Sequence, residues 1–352
     1  MRKLASIQTV TSIEPIPNAD AIERFRVLGW WIVGKKGEVR VGDRIVYCEI
    51  DSLLPERTEF EFLRSNCFKP ALLDGDTVLQ RAGFRIKTIK LRGQVSQGIC
   101  FPLAILPQDR SYEVGDDVTD LLGIIKYEPP APAGMSGMVK GPFPGFLPKT
   151  DETRVQVLEH VLQQYRGQTF FITEKLDGTS FTAFLRDDQF GLCSRNLWLD
   201  ETDSSNLFVR LAQTLNLPEK LRRIRDNFGF QPAIQGEVIG PGIQKNKYGL
   251  GHVDLRVFSL IDIDQYSLVD REIMLSAMEQ AGLTSVPQLG EIVLGHTIDE
   301  LVEMAIGRSQ LNANAHREGL VFRPAQEVHE ATLGGRLSFK VINPQFLLKY
   351  DE

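Results

Sequence analysis

Apolar and polar positions along the first hundred residues follow the short period of strands. The runs at 26–33, 38–50 and 84–91 are rich in β-branched and aromatic residues, with Gly-Lys-Lys-Gly and Gly-Asp as turn signals between them. Such spacing predicts a small β-barrel. Between Phe84 and Arg92 the apolar phase is even at 84 and 86 and odd at 89 and 91. A register change near Thr88 is therefore expected, of the kind a β-bulge supplies.

From 106 to 150 the pattern is lost. Glu128-Pro129-Pro130-Ala131-Pro132-Ala133-Gly134, Gly141-Pro142-Phe143-Pro144-Gly145 and Pro148 crowd this stretch with proline and glycine, which support neither a long helix nor a central strand. It reads as a linker between a domain at 1–105 and a second at 151–352. Beyond it, Val155, Val157, Leu158, Val161 and Leu162 mark an amphipathic helix from Asp151 to Tyr165, capped by Thr150 or Asp151. Strands are predicted at 169–175, 181–186, 233–239, 256–263, 318–323 and 337–342, with helices near 203–215 and 270–282. The second domain is thus an α+β arrangement of antiparallel sheet with helices on its faces.

Charge refines this division. Residues 1–105 carry 16 Lys+Arg and 12 Asp+Glu, a balance of +4, so with −6 for the whole chain the remainder carries −10. An acidic second domain is compatible with phosphate chemistry where its carboxylates hold a divalent metal. The four cysteines, Cys48, Cys67, Cys100 and Cys193, are scattered and fit neither a zinc site nor a disulfide framework. No segment approaches the roughly 18 apolar residues needed to span a bilayer. A monomer in the cytosol or another reducing compartment is expected, without a membrane partner.

The chemistry concentrates in Thr169-Phe170-Phe171-Ile172-Thr173-Glu174-Lys175-Leu176-Asp177-Gly178-Thr179-Ser180. A lysine at the end of an apolar strand, followed by a turn, is held at the edge of a core. Desolvation there lowers its pKa, and a neutral amine is the form that attacks phosphorus. Asp177, two residues on, faces the same side of an extended chain and is placed to hold a metal. Lys-x-Asp-Gly alone is equally a charged β-turn.

This segment resembles motif I of the covalent nucleotidyltransferases, the ligases and messenger-RNA capping enzymes, and further motifs follow in order. Ser194-Arg195-Asn196 resembles motif Ia, Ile234-Gln235-Gly236-Glu237 motif III, Arg256-Val257-Phe258-Ser259-Leu260-Ile261-Asp262 motif IIIa, Glu318-Gly319-Leu320-Val321-Phe322-Arg323 motif IV, and Ser338-Phe339-Lys340-Val341-Ile342-Asn343 motif V. The resemblance implies an ATP-grasp-like adenylation domain in which Lys175 takes up AMP from ATP with Mg2+ or Mn2+. It implies Asp177, Glu237 and Glu318 at the metal and Lys340 on the α-phosphate, so that Lys175, Asp177, Glu318 and Lys340 form the catalytic set. Phe258 would stack on the purine and Arg195 contact the ribose and strand end, with Glu174, Gly178 and Ser180 completing the nucleotide site. Arg154, and after it Lys149, stand where related RNA ligases bind outgoing pyrophosphate; both also suit exposed helix-start charges. One departure is Ile342, where the family commonly has a second motif V lysine; either Lys340 acts alone or another cation such as Lys349 substitutes.

Ile13-Glu14-Pro15-Ile16-Pro17-Asn18-Ala19-Asp20-Ala21-Ile22-Glu23 resembles the opening of OB-fold tRNA-binding domains, and the chain ends about ten residues after Lys340. This order resembles the ATP-dependent RNA ligases with an N-terminal OB domain. It implies sealing of 3′-OH and 5′-phosphate ends, at nicks in RNA or RNA-containing duplexes. Trp30, Trp31, Arg85, Lys87, Lys90 and Arg92 are candidate nucleic-acid contacts, although strand alternation keeps them from sharing one face. Remaining alternatives are a DNA ligase, a GTP-dependent capping enzyme, and a non-catalytic OB-type RNA-binding protein.

Overall fold

A computed structural model describes residues 2–74, 77–128, 138–149 and 151–350. The chain divides into two compact units, one of Met1–Pro130, Gln156–Glu159 and Pro344–Glu352, the other of Ala131–Val155 and His160–Asn343. No helix among the described residues is long and apolar enough to cross a membrane.

In the first unit, Ile99–Pro102, Arg44–Cys48, Ala5–Pro15, Ile22–Val27 and Trp30–Lys35 lie in that order in a five-stranded antiparallel sheet. A second sheet orders Ile125–Lys126, Ser52–Leu54, Gly83–Arg85 and Phe68–Lys69. The run at 26–33 is two strands: Val27 pairs with Trp30 across Leu28-Gly29, and Leu28 takes a left-handed φ of 53°. Alternation buries Trp30 and leaves Trp31 partly exposed, with the guanidiniums of Arg24 and Arg26 at 4.3 and 5.1 Å from its ring centroid.

The expected bulge near Thr88 is a break. Gly83–Arg85 and Ile89–Leu91 belong to different sheets; Phe84 and Ile86 are buried, whereas Ile89 and Leu91 are exposed. Arg85 does not serve a surface groove. It is buried, with its guanidinium 3.7 Å from Asp51 and 4.4 Å from the Tyr127 ring centroid.

The stretch expected as a linker is shared out between the units. Leu106, Tyr112, Val118, Leu122 and Ile124 are buried in the first, where Val118 N–H donates to Ala5 O at 3.0 Å. Val139–Pro142 pairs with Leu197–Leu199 in the second, and 129–137 lie outside the described residues. Proline and glycine mark where a chain turns, not whether it packs.

Two sheets build the second unit. The larger orders Val139–Pro142, Leu197–Leu199, Gln189–Cys193, Thr179–Arg186, Pro232–Ile239, Asp254–Asp262 and Ser267–Leu268. Helices Leu207–Thr214, Leu217–Phe228 and Arg271–Ala281 cover one face through Phe208, Leu211, Leu221, Ile224, Met274 and Met278 against Phe181, Leu185, Ile234 and Leu260. The smaller orders Thr153–Arg154, Phe339–Ile342, Gly319–Pro324, Thr169–Lys175 and Gln288–Val293, all antiparallel except the first pair. That parallel pair corrects the helix expected from Asp151 to Tyr165. Thr153 and Arg154 hydrogen-bond as strand beside Phe339 and Lys340, and the helix itself runs Glu159–Gln164. Tertiary pairing overrides the helical spacing; Thr150, one proposed cap, lies outside the described residues.

Candidate functional site

Lys175 ends the strand Thr169–Lys175, opposite Gly319. Glycine is required at 319 because a Cβ there would lie 2.3 Å from Val341 O of the next strand. This close approach brings Glu318 beside the lysine, with Lys175 Nζ 2.7 Å from Glu318 Oε1 and 2.8 Å from Oε2. Burial pushes the amine's pKa down, but Glu318, Glu237 and Asp177 together push it further up, and the net result is well above an ordinary lysine. The expected depressed pKa is therefore not found. In this carboxylate setting Lys175 is an ammonium.

Leu176 anchors the following turn in a small core with Ile239, Tyr248 and Val286. Asp177 turns its carboxylate to Lys247, and Asp177 N–H donates to the Tyr248 hydroxyl at 2.7 Å. Gly178 lies against the strand Pro232–Ile239, where a Cβ would meet Val238 O at 2.3 Å. On that strand Glu237 pairs with Ser180. Burial first, then the charges of Glu318 and Asp177, push the Glu237 carboxyl up to about 8 against the opposing pull of Lys175.

These groups line a cleft of about 360 Å3, within the range of small-molecule sites. Glu174, Lys175, Asp177, Gly178, Ser180, Glu237, Phe258, Glu318 and Lys340 all contribute, and Lys149 and Arg195 also line it. Glu174 accepts from Gln310 N–H at 2.8 Å, and burial raises its pKa. Phe258 is partly exposed; Arg323 Nη1 donates to its carbonyl at 2.6 Å while pairing with Glu152. Lys340 is pushed down to about 7, by burial first and then by Lys175 and Arg154. Arg195 holds Asp151 at 2.9 and 3.0 Å, and Lys149 donates to Asn196 Oδ1 at 3.4 Å. Arg154 is the exception: it is Lys340's neighbour on the parallel strand but does not line the cleft. Ile342 is buried, opposite Gly319.

Sequence reasoning assigns no role to Lys247, Tyr248, Gln244, Glu152 or Arg323. Arg323 closes the motif IV segment and Glu152 stands two residues ahead of Arg154, but their pairing spans 171 residues. Lys247 and Tyr248 follow Gly240-Pro241-Gly242, a turn signal whose nearby lysines and tyrosine are the available clue.

Comparison with known proteins gives this geometry a context. Residues 4–103 match an OB-fold domain model, and 168–342 match the RNA ligase family. Naegleria gruberi RNA ligase with pyrophosphate is 39% identical, with a TM-score of 0.87, over 100% of this chain and 99% of that one. The chain belongs to the RNA ligase family. A variant of the Naegleria ligase solved with ATP and Mn matches at 39% identity and TM-score 0.87 over 100% of both chains. Another, with AMP and Mn, matches at 39% and 0.86 over 98% of each. A search of curated proteins finds no match.

In this ligase the donor set bears on a metal. Asp177, Glu237 and Glu318 meet in one cleft, where burial first and then the charges of Glu318 and Asp177 raise the Glu237 pKa, and a hard cation would favour the ionised carboxylates. Among the described residues, no three His, Cys, Asp or Glu side chains converge into a direct metal cage. The carboxylates fit an ion that keeps most of its water and is held through it, as magnesium-like cations are.

Proposed function

We propose that this RNA ligase seals 3′-OH and 5′-phosphate RNA ends, at nicks in duplexes, through a covalent lysyl-AMP intermediate formed from ATP. The reading is carried by the placement of Lys175, an amine at a strand end inside the cleft, with Glu318, Glu237 and Asp177 around it and the Lys340 amine lining the same space. The ATP, AMP and pyrophosphate of the Naegleria structures support the choice of nucleotide.

Lys175 Nζ, once deprotonated, attacks the α-phosphorus. The P–N bond forms as the bond to the β-phosphate bridging oxygen breaks, and pyrophosphate leaves. AMP then passes from the lysine to a 5′-phosphate, restoring the amine; a 3′-hydroxyl attacks the activated 5′-phosphate and expels AMP. Because this chemistry needs positioning and charge neutralisation above all, each residue has a limited task. Lys340 meets the α-phosphate, Arg154 and Lys149 the departing pyrophosphate. Phe258 stacks on adenine, backed by Arg323. Glu174, Gly178 and Ser180 border the nucleoside, and Arg195 meets the ribose and strand end. Magnesium or manganese, held at Asp177, Glu237 and Glu318, would draw off the charge that keeps Lys175 protonated and offset that of the phosphates. The OB-fold unit, with the partly exposed Trp31 beside Arg24 and Arg26, suits contact with the RNA backbone and a stacked base.

The test is incubation with radiolabelled ATP or GTP and divalent metal, followed by a denaturing gel. Covalent label from ATP that is absent in Lys175→Ala supports the reading. No label would overturn it, and label from GTP alone would reassign the chain to capping chemistry. Sealing of nicked RNA, compared with nicked DNA and single strands, tests the substrate.

A further inference from the structure

The loop between the strands Pro232–Ile239 and Asp254–Asp262 has an unusual backbone beside the cleft. Gln244, Lys245 and Asn246 take left-handed φ values of 42°, 60° and 47° in succession. L-residues visit that region singly, so three in a row persist only where the surroundings over-determine them. Those surroundings are on hand. Asn246 closes the loop on Leu250, donating to its carbonyl at 2.9 Å and accepting its N–H at 3.0 Å. Asn312 Nδ2 donates to Lys247 O at 3.1 Å, and Tyr248 is buried against Leu176 and Ile239.

What this loop delivers is a buried cation to Asp177. The Lys247 and Asp177 side chains are 5% and 9% exposed and form an ion pair. Next to it, Tyr248 accepts Asp177 N–H at 2.7 Å, and Gln244 Nε2 donates to Gly178 O at 3.4 Å. Three side-chain anchors, at 244, 247 and 248, therefore grip the turn that carries the nucleophile. A carboxylate two residues from Lys175 would otherwise be free to turn back onto its ammonium, as Glu318 already does. A pair this dry is costly to build and conspicuous where a solvated aspartate would serve.

We propose that Lys247 is a positioning residue for lysine adenylylation. It holds the Asp177 carboxylate in a fixed orientation, off the nucleophile, while its strained loop braces the Lys175–Gly178 turn. The role rests on the ligase reading. It concerns the attack step and not the capture of ATP, because Lys247 does not line the cleft.

The experiment measures single-turnover adenylylation of the full chain at varied radiolabelled ATP, for the native protein, Lys247→Met and Lys247→Arg. Thermal melts give the folded fraction by which each rate is divided. Methionine keeps the stem and removes the charge; arginine keeps the charge. Expected is a loss of about tenfold to a hundredfold in the maximal rate for Lys247→Met, with half-saturating ATP changed less than about threefold. Recovery of most of that loss is expected in Lys247→Arg. A lower melting temperature with a native rate per folded molecule would make the pair purely structural and overturn the proposal. A loss residing in half-saturating ATP would also overturn it. Should the native chain take no label, the ligase reading fails; if it labels and Lys247→Met matches it, only the positioning role fails.

Discussion

Lys175 Nζ and Glu318 Oε1 are 2.7 Å apart, so the amine proposed to take up AMP rests as one half of an ion pair. Burial alone favours a neutral lysine, but with Glu318 in contact and Glu237 and Asp177 nearby the charged form wins. Glu318→Gln should therefore lower the Lys175 pKa in the metal-free protein. Acylation of Lys175 by an amine-selective reagent, followed by mass spectrometry across pH, should show its half-point moving to lower pH. An unchanged half-point would remove Glu318 as a cause of the raised pKa.

Glu237 predicts a pH-dependent stability. Its carboxyl keeps its proton to about 8 in the fold, against an ordinary value of 4.5. Between these values the native state binds more protons than the unfolded one, so this group's contribution is present below 4.5 and is lost as pH rises toward 8. Lys340, lowered from 10.5 to about 7, acts in the opposite sense and at higher pH, adding stability as pH rises from about 7 to 10.5. Glu237→Gln mimics the protonated acid. It should melt close to native near pH 5 and above native near pH 8, while adenylylation falls; a melting difference that does not grow with pH contradicts the assignment.

Gly319 should not accept a methyl group. A Cβ would lie 2.3 Å from Val341 O and 3.0 Å from Ile342 Cα, both backbone atoms of a paired strand. Gly319→Ala is expected to cost about 1–3 kcal/mol in urea unfolding, as overpacking does. Gly335, where a Cβ would meet nothing within 4 Å, is the control, and Gly335→Ala should stay within about 0.5 kcal/mol.

Arg154 is a candidate to compensate for Ile342 from beside Lys340, outside the cleft lining. It neighbours Lys340 in parallel register and is close enough to lower that lysine's pKa. Lys149 is exposed at the cleft's border. Arg154→Ala should reduce adenylylation per ATP by about tenfold and Lys149→Ala by less than about threefold, measured as rate against ATP concentration. The reverse order would transfer the pyrophosphate role to Lys149.

Much of the second unit is legible along the chain. The strand Thr169–Lys175 coincides with its expected span, and Thr179–Arg186, Pro232–Ile239 and Asp254–Asp262 differ from theirs only at the ends. These strands carry long β-branched and aromatic runs whose local preference agrees with their pairing. Expectation fails where local spacing and tertiary pairing disagree. Val155, Leu158, Val161 and Leu162 are buried as a helix would bury them, yet Thr153 and Arg154 ahead of them are strand because a parallel neighbour claims their backbone. Helices Leu217–Phe228 and Ile298–Ala305 are not among the expected elements, although the second opens with Thr297 and Glu300 in a capping box.

The identity and order of the candidate chemical groups are written in the linear chain, because strand ends, turn glycines and the residues beside them lie within a few positions of one another. Their charge states and partners are set in three dimensions. Whether Lys175 is neutral or an ammonium depends on Glu318, 143 positions away, and the hold on Asp177 comes from Lys247, 70 positions away. Arg85 has the sequence of a surface cation and the surroundings of a buried one. Burial and Coulomb interaction act through space, and a linear pattern does not carry the distances on which they depend.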